Sequence, residues 1–467
     1  MNQSILKENK LTQTNVALLN LFFEKGDQTV AELAAGLNVS IPYATKSLNE
    51  LVSAKMVHET GKRDNHSRRA PRVYDLIPEA GYFLGIDTGH DRLNLALTDF
   101  SGNIVSSKYK IPYDYVNDLE CFETLIAIID QFIEQSGIER SNIIKACMTV
   151  GGRVNPYEGK AHNYFTCLDK TLAEALTDAL HIDTCIDNDT RCMTFGEWYK
   201  GSCKGQRNVV FVNVSWGLGI GIIIDGKMCL GKSGYSGEMG HVHIYNNGII
   251  CHCGKTGCME TEASGSALQR HMKQKLADGA VSILTHRQNP EQELSLQDIL
   301  DAIKREDVLS IESLQQMATE LGNNLAGIIN IFNPEMLVIG GDLSVTGDNL
   351  TQPIRMGIHR FSLNMVSEDS IVTTSALTDK AGVIGACLLA RHRAIEKKEN
   401  LFVKPDEQSQ ACLRFAMARK GALKRNIIFR QSYIKTLISR LFYVSLQKNE
   451  RRNAILRGAI TKHKKPL

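Results

Sequence analysis

The densest group of chemically reactive side chains lies between residues 237 and 260. The segments GEMGH (237–241) and CHCGKTGCME (251–260) contain His241, Cys251, Cys253 and Cys258. Three thiolates and one imidazole form a tetrahedral set typical of structural zinc, with no open position for an activated water. A loop of free cysteines is the alternative. We predict a structural zinc ion that holds this loop in place.

A second group of residues predicts DNA binding near the amino terminus. A short apolar helix around residues 15–23 precedes a Thr29–Glu32 capping box, a second helix ended by Gly36, and a third helix capped by Ser40. This order is the helix-turn-helix pattern, whose last helix would present Tyr43, Lys46 and Asn49 to the major groove. A small packing module with a charged loop is the alternative.

The segment after the third helix indicates a hairpin with a basic tip. Five basic residues and one acidic residue lie between Gly61 and Tyr74, including Arg63, Arg68, Arg69 and Arg72. Such a wing would contact phosphates or the minor groove. We therefore predict a winged helix-turn-helix domain over residues 1–78.

From Gly81 onward the sequence predicts a duplicated α/β architecture. Residues 82–87, 93–99 and 104–110 are strands about short turns, and residues 209–214, 219–224 and 227–230 repeat that order. Each set is followed by helices and a further strand, at 143–150 and 336–339. Two such halves predict two lobes with a cleft between them, and a helical insertion near residues 266–321.

Composition and charge set limits on the function. The chain has 467 residues, 43% hydrophobic residues and a net charge of +3, values typical of a globular protein. Its start lacks a signal-peptide core and no apolar run is long enough for a membrane helix, so we expect a cytoplasmic protein. Residues 401–467 hold 16 Lys and Arg against 3 Asp and Glu. This basic extension, taken as 399–467, is either an extra nucleic-acid or membrane-surface helix or a loosely ordered tail, and we favour the tail.

The histidine and cysteine motif, with the preceding GExGH, resembles the signature of the ROK family of repressors, open reading frames and sugar kinases. The resemblance covers about residues 13–398, and its regulator branch carries a winged helix. It implies an actin-like, hexokinase-like (ribonuclease H-like) domain of two lobes over residues 79–398. It also implies sugar contacts from Asn163, Asn188, Asp189, Glu238, His241 and Glu260. In the kinases of the family, the counterpart of Asp189 is the general base.

The sequence departs from the kinases where ATP would bind. The resemblance places nucleotide contacts at Asp87, Gly89, Gly217, Gly219, Gly340 and Gly341. However, His90 and Asp91 put bulk and negative charge in the first phosphate turn, and Trp216 replaces a hydroxyl residue in the second. These changes weaken a kinase interpretation.

The sequence therefore predicts a sugar-responsive transcriptional regulator, a repressor of carbohydrate-metabolism genes. Its partners would be operator DNA, a sugar or sugar phosphate, and further copies of the chain in a dimer or tetramer. The alternative is a hexose or N-acylhexosamine kinase with a DNA-binding appendage, which would use Mg-ATP and Asp189 as its base. A sensor that has lost both activities is a third, weaker hypothesis.

Overall fold

The computed structural model of this protein describes residues 11–63, 70–203, 205–286 and 293–396. Two of the predicted wing residues, Arg68 and Arg69, and the basic extension at 399–467 lie outside the described residues. The described part divides into a small amino-terminal unit and two larger lobes, each built on one β-sheet.

The amino-terminal unit combines three helices with a three-stranded antiparallel sheet of order β1-β3-β2. Its elements are α1 (Gln13–Lys25), β1 (Gln28–Thr29), α2 (Val30–Leu37), α3 (Ile41–Ser53), β2 (Val57–Lys62) and β3 (Arg72–Leu76). The predicted capping box is present at the start of α2. The Glu32 N–H donates to Thr29 Oγ1 over 3.3 Å, and the Thr29 N–H donates to Glu32 Oε2 over 2.8 Å.

Two details of this unit differ from the prediction. Helix α2 continues past Gly36 to Leu37 and is capped by Asn38, which adopts the left-handed conformation with φ of 54°. A Cβ atom at Gly36 would lie 2.9 Å from Leu21 Cδ1, so this glycine lets α1 and α2 approach closely. The Ser40 side chain makes no capping hydrogen bond to α3.

The first lobe is built on a five-stranded mixed sheet of order β10-β7-β4-β5-β6. Strands β4, β5 and β6 form the predicted antiparallel meander, while β7 and β10 extend it in parallel from β4. The strands and their helices are β4 (Tyr82–Thr88), β5 (Arg92–Thr98), β6 (Ile104–Pro112), α4 (Leu119–Ser136), β7 (Ile143–Val150), β8 (Val154–Asn155), β9 (Lys160–Ala161), α5 (Leu172–Leu180) and β10 (Thr184–Asn188).

The second lobe repeats this topology with a sheet of order β13-β12-β11-β14-β15. Its elements are α6 (Asp189–Lys200), β11 (Val209–Val214), β12 (Leu218–Ile224), β13 (Lys227–Met228), α7 (Gly265–Ala277), α8 (Leu296–Lys304), α9 (Val308–Phe332), β14 (Met336–Gly340), α10 (Asp348–Phe361), α11 (Asn364–Glu368), β15 (Ile371–Thr374) and α12 (Ala381–Ile395). Strands β11 to β13 are antiparallel, and β14 and β15 follow in parallel. The predicted duplication is therefore present.

Helices α6 and α12 cross at two glycines near the centre of the molecule. A Cβ atom at Gly385 would lie 1.8 Å from the Cys192 carbonyl oxygen, and one at Gly196 would lie 2.6 Å from the Ala381 carbonyl oxygen. The backbones therefore meet directly. Because α12 also packs on β4, it joins the crossing point to the floor of the first lobe.

The amino-terminal unit and the first lobe share one apolar core. Leu19 and Phe22 of α1 belong to the same buried cluster as Phe83 of β4 and Leu388 of α12. The Phe23 ring meets the Phe100 ring edge-on, with centroids 5.8 Å apart. Among the helices of the described residues, none is long and apolar enough to cross a membrane.

Candidate functional site

A cleft of about 340 Å³ opens between the two sheets, a size within the usual range for small-molecule pockets. The ends of β4, β10, β11 and β14 point their following residues into it, as is usual where parallel strands terminate. Residues that line it include Asp87, Thr88, Gly89, His90, Arg92, Tyr115, Tyr164, Asn188, Asp189, Ser215, Trp216, Gly217, Gly219, Glu238, His241, His252, Glu260, Gly341 and Asp342.

Asp189 is the first residue of α6 and lies at the floor of the cleft. Its Oδ1 atom accepts hydrogen bonds from the Thr190 N–H over 2.7 Å and from Asn188 Nδ2 over 2.8 Å. Burial raises its pKa to about 6, and the neighbouring negative charge of Asp87 acts in the same direction. With Oδ1 engaged, the second carboxylate oxygen remains for a ligand hydroxyl.

The position of Asp189 is set by a buried ion pair beneath it. Asp187, at the end of β10, accepts a hydrogen bond from Arg191 Nε over 2.6 Å and is also paired with Arg393 of α12. Burial opposes ionisation of Asp187, but the two guanidinium groups hold its pKa below the usual range. Asn188 caps α6 through its Oδ1 atom, which accepts from the Arg191 N–H over 3.1 Å. The Asn188–Asp189 pair is thus fixed from below.

Glu260, Glu238 and His241 lie together on the second-lobe side of the cleft. Glu260 Oε2 accepts a hydrogen bond from the Leu218 N–H over 2.9 Å, and its Oε1 lies 2.8 Å from His252 Nδ1. Burial opposes ionisation of Glu260, but these two partners hold its pKa below the usual range. Glu238 Oε2 lies 3.7 Å from His241 Nε2. These residues offer carboxylate acceptors and an imidazole nitrogen to the same cleft that Asp189 lines.

The cysteine cluster adjoins this group through His241. One candidate ligand atom from each of His241, Cys251, Cys253 and Cys258 lies within 4.8 Å of the other three. The Cys253 and Cys258 sulfurs are 3.6 Å apart, and Cys251 Sγ is 3.5 Å from His241 Nδ1. Tetrahedral zinc with ordinary bond lengths would require about 3.8 Å and about 3.6 Å for these pairs. The donor set therefore fits zinc, with the His241 Nε2 atom left to face Glu238.

A glycine allows the cysteine loop to close. Gly257 has φ of 72°, and a Cβ atom there would lie 1.9 Å from the Tyr245 carbonyl oxygen. No other residue could occupy this position without moving the backbone.

Three of the glycines that were predicted to contact a nucleotide pack closely against side chains of the fold. A Cβ atom at Gly217 would lie 2.9 Å from Glu260 Oε2, and one at Gly219 would lie 2.9 Å from Thr190 Oγ1. At Gly341 it would lie 2.5 Å from Asn213 Oδ1. Asp87 is buried and accepts hydrogen bonds from Thr149 Oγ1 over 2.7 Å and Asn94 Nδ2 over 3.0 Å. Packing within the fold accounts for these residues without a nucleotide.

One predicted sugar residue lies apart from the others, and several lining residues were not predicted. Asn163 is exposed on the loop after β9 and is not among the residues that line the cleft. Its neighbour Tyr164 lines the cleft and stacks on Tyr115, with ring centroids 3.9 Å apart. His252 also lines the cleft, and its place between two cysteines of the motif was the available signal. The sequence offered no signal for the tyrosine pair.

The described residues predicted to contact DNA lie on the surface of the amino-terminal unit. Ser40, Tyr43, Lys46 and Asn49 are exposed on one side of α3. Arg63 is paired with Glu32 over 2.6 Å and with Asp27 over 3.2 Å, and Arg72 is paired with Glu59 over 2.9 Å. The two described wing arginines therefore have acidic partners within their own unit.

The duplicated sheets and the cleft between them define a two-lobed α/β domain of the actin-like, hexokinase-like class. The sequence profile of the ROK family matches residues 83–393. This chain belongs to the ROK family.

Relatives of known type span most of this chain. It is 28% identical over 351 residues to the xylose repressor of Bacillus subtilis (strain 168), an alignment that covers 75% of this chain and 87% of the repressor. Among solved structures, a ROK family transcriptional regulator homologous to the Escherichia coli MLC protein superposes with a TM-score of 0.68 and 27% identity. That match covers 82% of this chain and 95% of the regulator.

A kinase of the family is also similar, over a shorter part of this chain. A ROK family glucokinase from Streptomyces griseus, solved in complex with glucose and AMPPNP, superposes with a TM-score of 0.56 and 25% identity. The match covers 99% of the kinase but 67% of this chain. The longer matches to regulators place this chain in the transcriptional-regulator branch of the family.

Proposed function

We propose that this protein is a sugar-responsive, DNA-binding transcriptional regulator that represses genes of carbohydrate metabolism. One observation carries the proposal. A three-helix unit with an exposed polar helix face shares one apolar core with a domain whose cleft is lined by groups that can bind hydroxyls. The similarity to the xylose repressor and to the solved ROK regulator supports it.

The amino-terminal unit is proposed to be a winged helix that binds operator DNA. Helix α3 would enter the major groove with Tyr43, Lys46 and Asn49, and Ser40 at its amino-terminal end would contact phosphate. The wing would contribute Arg63, Arg68, Arg69 and Arg72. Because Arg63 and Arg72 have acidic partners, they would have to exchange an ion pair for a phosphate contact.

The cleft is proposed to bind the sugar between Asp189 and the group formed by Glu238, His241 and Glu260. Carboxylate oxygens and an imidazole nitrogen suit several hydroxyls at once. A structural zinc ion held by His241 Nδ1 and the three cysteines would fix the orientation of that imidazole. Asn163 would contribute only if its loop moved toward the cleft.

The DNA-binding assembly is proposed to be a homodimer or a tetramer in the cytoplasm. Two copies of the winged helix would read two half-sites, and sugar binding would change their separation through the lobes. Selection of DNA sequences from a random pool with the full chain should enrich an inverted repeat. Addition of the cognate sugar should then lower the affinity for that DNA. Enrichment of no sequence at low salt would contradict the proposal.

A sugar kinase that uses Mg-ATP is the second candidate, because the family resemblance makes Asp189 the counterpart of the general base and the match to the glucokinase spans 99% of that enzyme. ADP release with Mg-ATP should be measured across hexoses, pentoses and N-acetylhexosamines. We expect no release above that of the Asp189→Asn variant. Sugar-dependent ADP release that this substitution abolishes would instead establish the kinase.

A further inference from the structure

The inner end of the cleft is crossed by two contacts between the lobes. Arg92, at the start of β5, is paired with Asp342, which follows β14. Beside this pair, the His90 ring lies 4.4 Å from the Trp216 ring, with 34° between their planes. We call the Arg92–Asp342 and His90–Trp216 pairs the interlobe contacts. They occupy the part of the cleft that adjoins both altered phosphate turns.

One backbone donor of the second lobe at this point, the N–H of Asp342, is already used. The Asp342 N–H donates to Ser215 Oγ over 2.9 Å, and Ser215 Oγ donates to Asn213 Oδ1 over 2.7 Å. A phosphate group is usually held by free backbone N–H groups or by a cation. The N–H of Asp342 is therefore not available in this arrangement.

Acidic side chains outnumber basic ones at the inner end of the cleft. Asp87, Asp189 and Asp342 line it, and burial together with the Asp342 charge raises the pKa of Asp87. Arg92 is the one lysine or arginine among the described residues that line the cleft, and its guanidinium lies against Asp342. Arg153 is exposed, is not among the lining residues, and its positive charge opposes protonation of His252 at the sugar-binding end. A phosphate placed beside Asp189 would thus face carboxylates, and the described lining residues would offer it no cation except Arg92, which is already paired.

We infer that the effector is an uncharged sugar without a phosphate group, and that the interlobe contacts together with these carboxylates exclude sugar phosphates and nucleotides. This inference rests on the proposed function. A neutral sugar can donate a hydroxyl to Asp189, whereas its phosphate ester at that hydroxyl would bring a second negative charge to the same place.

The test compares matched pairs of ligands on the full-length protein. Unphosphorylated hexoses, pentoses and N-acetylhexosamines, and the phosphate ester of each, are titrated by calorimetry, with inorganic phosphate and AMPPNP as further probes. We expect the neutral sugar to bind at least about tenfold more tightly than its phosphate ester, because like charges would be brought together in the bound state. Equal or tighter binding of the ester would overturn the inference and leave the proposed function intact.

A charge variant tests the cause. Asp342→Asn removes one carboxylate and leaves Arg92 with Asp91 as its remaining ion-pair partner, so binding of the phosphate ester should strengthen by about fivefold or more while the neutral sugar changes by less than about twofold. Asp225→Asn is the matched control, because it removes an exposed carboxylate paired with Arg207 outside the cleft. If Asp342→Asn does not fold, Trp216→Thr opens the same end without a change in charge.

The outcomes separate the two proposals. Unchanged ester binding in a folded Asp342→Asn protein would overturn the role of the interlobe contacts. Failure of every sugar and every ester to bind, or to alter DNA affinity, would overturn the proposed function and the inference with it.

Discussion

The substitution Asp189→Asn should raise the stability of the free protein and weaken sugar binding. In the folded chain the pKa of Asp189 is raised to about 6 because burial and the Asp87 charge oppose its ionisation. Compared with the ordinary aspartate pKa near 4, this raised pKa means that ionisation of Asp189 lowers the free energy of unfolding by about 3 kcal/mol. Since Asp189 is partly accessible from the cleft, water would screen this to about 1–2 kcal/mol.

The pH dependence follows from the direction of that shift. A carboxyl whose folded pKa is raised costs nothing below its unfolded pKa, and the cost grows to its full size as the pH passes the folded value. The variant and the native protein should therefore have equal stability near pH 4. Above about pH 7 the variant should melt roughly 2–4 °C higher. Asparagine keeps the Oδ1 acceptor for the Thr190 N–H, so the local structure should persist.

Sugar binding should change in the opposite sense. A hydrogen bond from a hydroxyl to a carboxylate contributes about 1.5–3 kcal/mol, so the variant should bind its sugar about 10–150-fold more weakly. Thermal unfolding at pH 4, 6 and 8, with calorimetric titration of the sugar at pH 8, measures both effects. A variant that is less stable at pH 8, or that binds sugar normally, would refute our reasoning about Asp189.

Three further predictions concern other parts of the molecule. Cys258→Ser should abolish binding of the proposed zinc ion, measured by elemental analysis, and lower the melting temperature, because one of its four proposed ligands is lost. Lys46→Ala should weaken operator binding and reduce its salt dependence by about one ion, measured by titration at several salt concentrations. Arg391→Met should leave sugar affinity unchanged but reduce the effect of sugar on DNA affinity. The reason is that α12 connects the cleft to the amino-terminal unit. Its first turn lies beside Asp87, and the guanidinium of Arg391 in its last turns lies 3.9 Å over the Phe23 ring of α1.

Each of these has a matched control in the same chain. Cys167 is exposed and outside the metal cluster, so Cys167→Ser should retain zinc. Lys232 lies in the second lobe, and Lys232→Ala should not change DNA binding. Arg360 lies over Phe361 on the surface of the second lobe, so Arg360→Met removes a similar contact without touching α1. An equal effect of Arg360→Met and Arg391→Met would contradict the role given to Arg391.

The sheets could be predicted because their signals are local. Apolar runs such as 82–87 and 209–214 are bounded by turns, and the repeated order of such runs predicted the two lobes. The predicted end of α2 was misplaced because Gly36 lies inside the helix, where it gives Leu21 room to pack. A glycine is expected both at a close contact between helices and at the end of a helix. A glycine alone does not distinguish the two causes.

The contacts across the cleft could not be predicted, since they join residues that are far apart in the chain. Arg92 and Asp342 are separated by 250 positions, and the stacking partners Tyr115 and Tyr164 come from two loops without any pattern. Their pairing depends on how the two sheets face each other.

The retained glycine turns can be explained without a retained kinase activity. Gly217 leaves room for Glu260, whose carboxylate accepts the Leu218 N–H, and Gly219 leaves room for Thr190, the neighbour of Asp189. A larger residue at position 217 would displace Glu260, which is proposed to bind sugar, and one at position 219 would displace Thr190, which holds Asp189 through a hydrogen bond. Selection for sugar binding would therefore be sufficient to retain these glycines, while positions 90 and 216, which face the phosphate end, could accept histidine and tryptophan. The same turns can thus serve a sensor that binds sugar and transfers no phosphate.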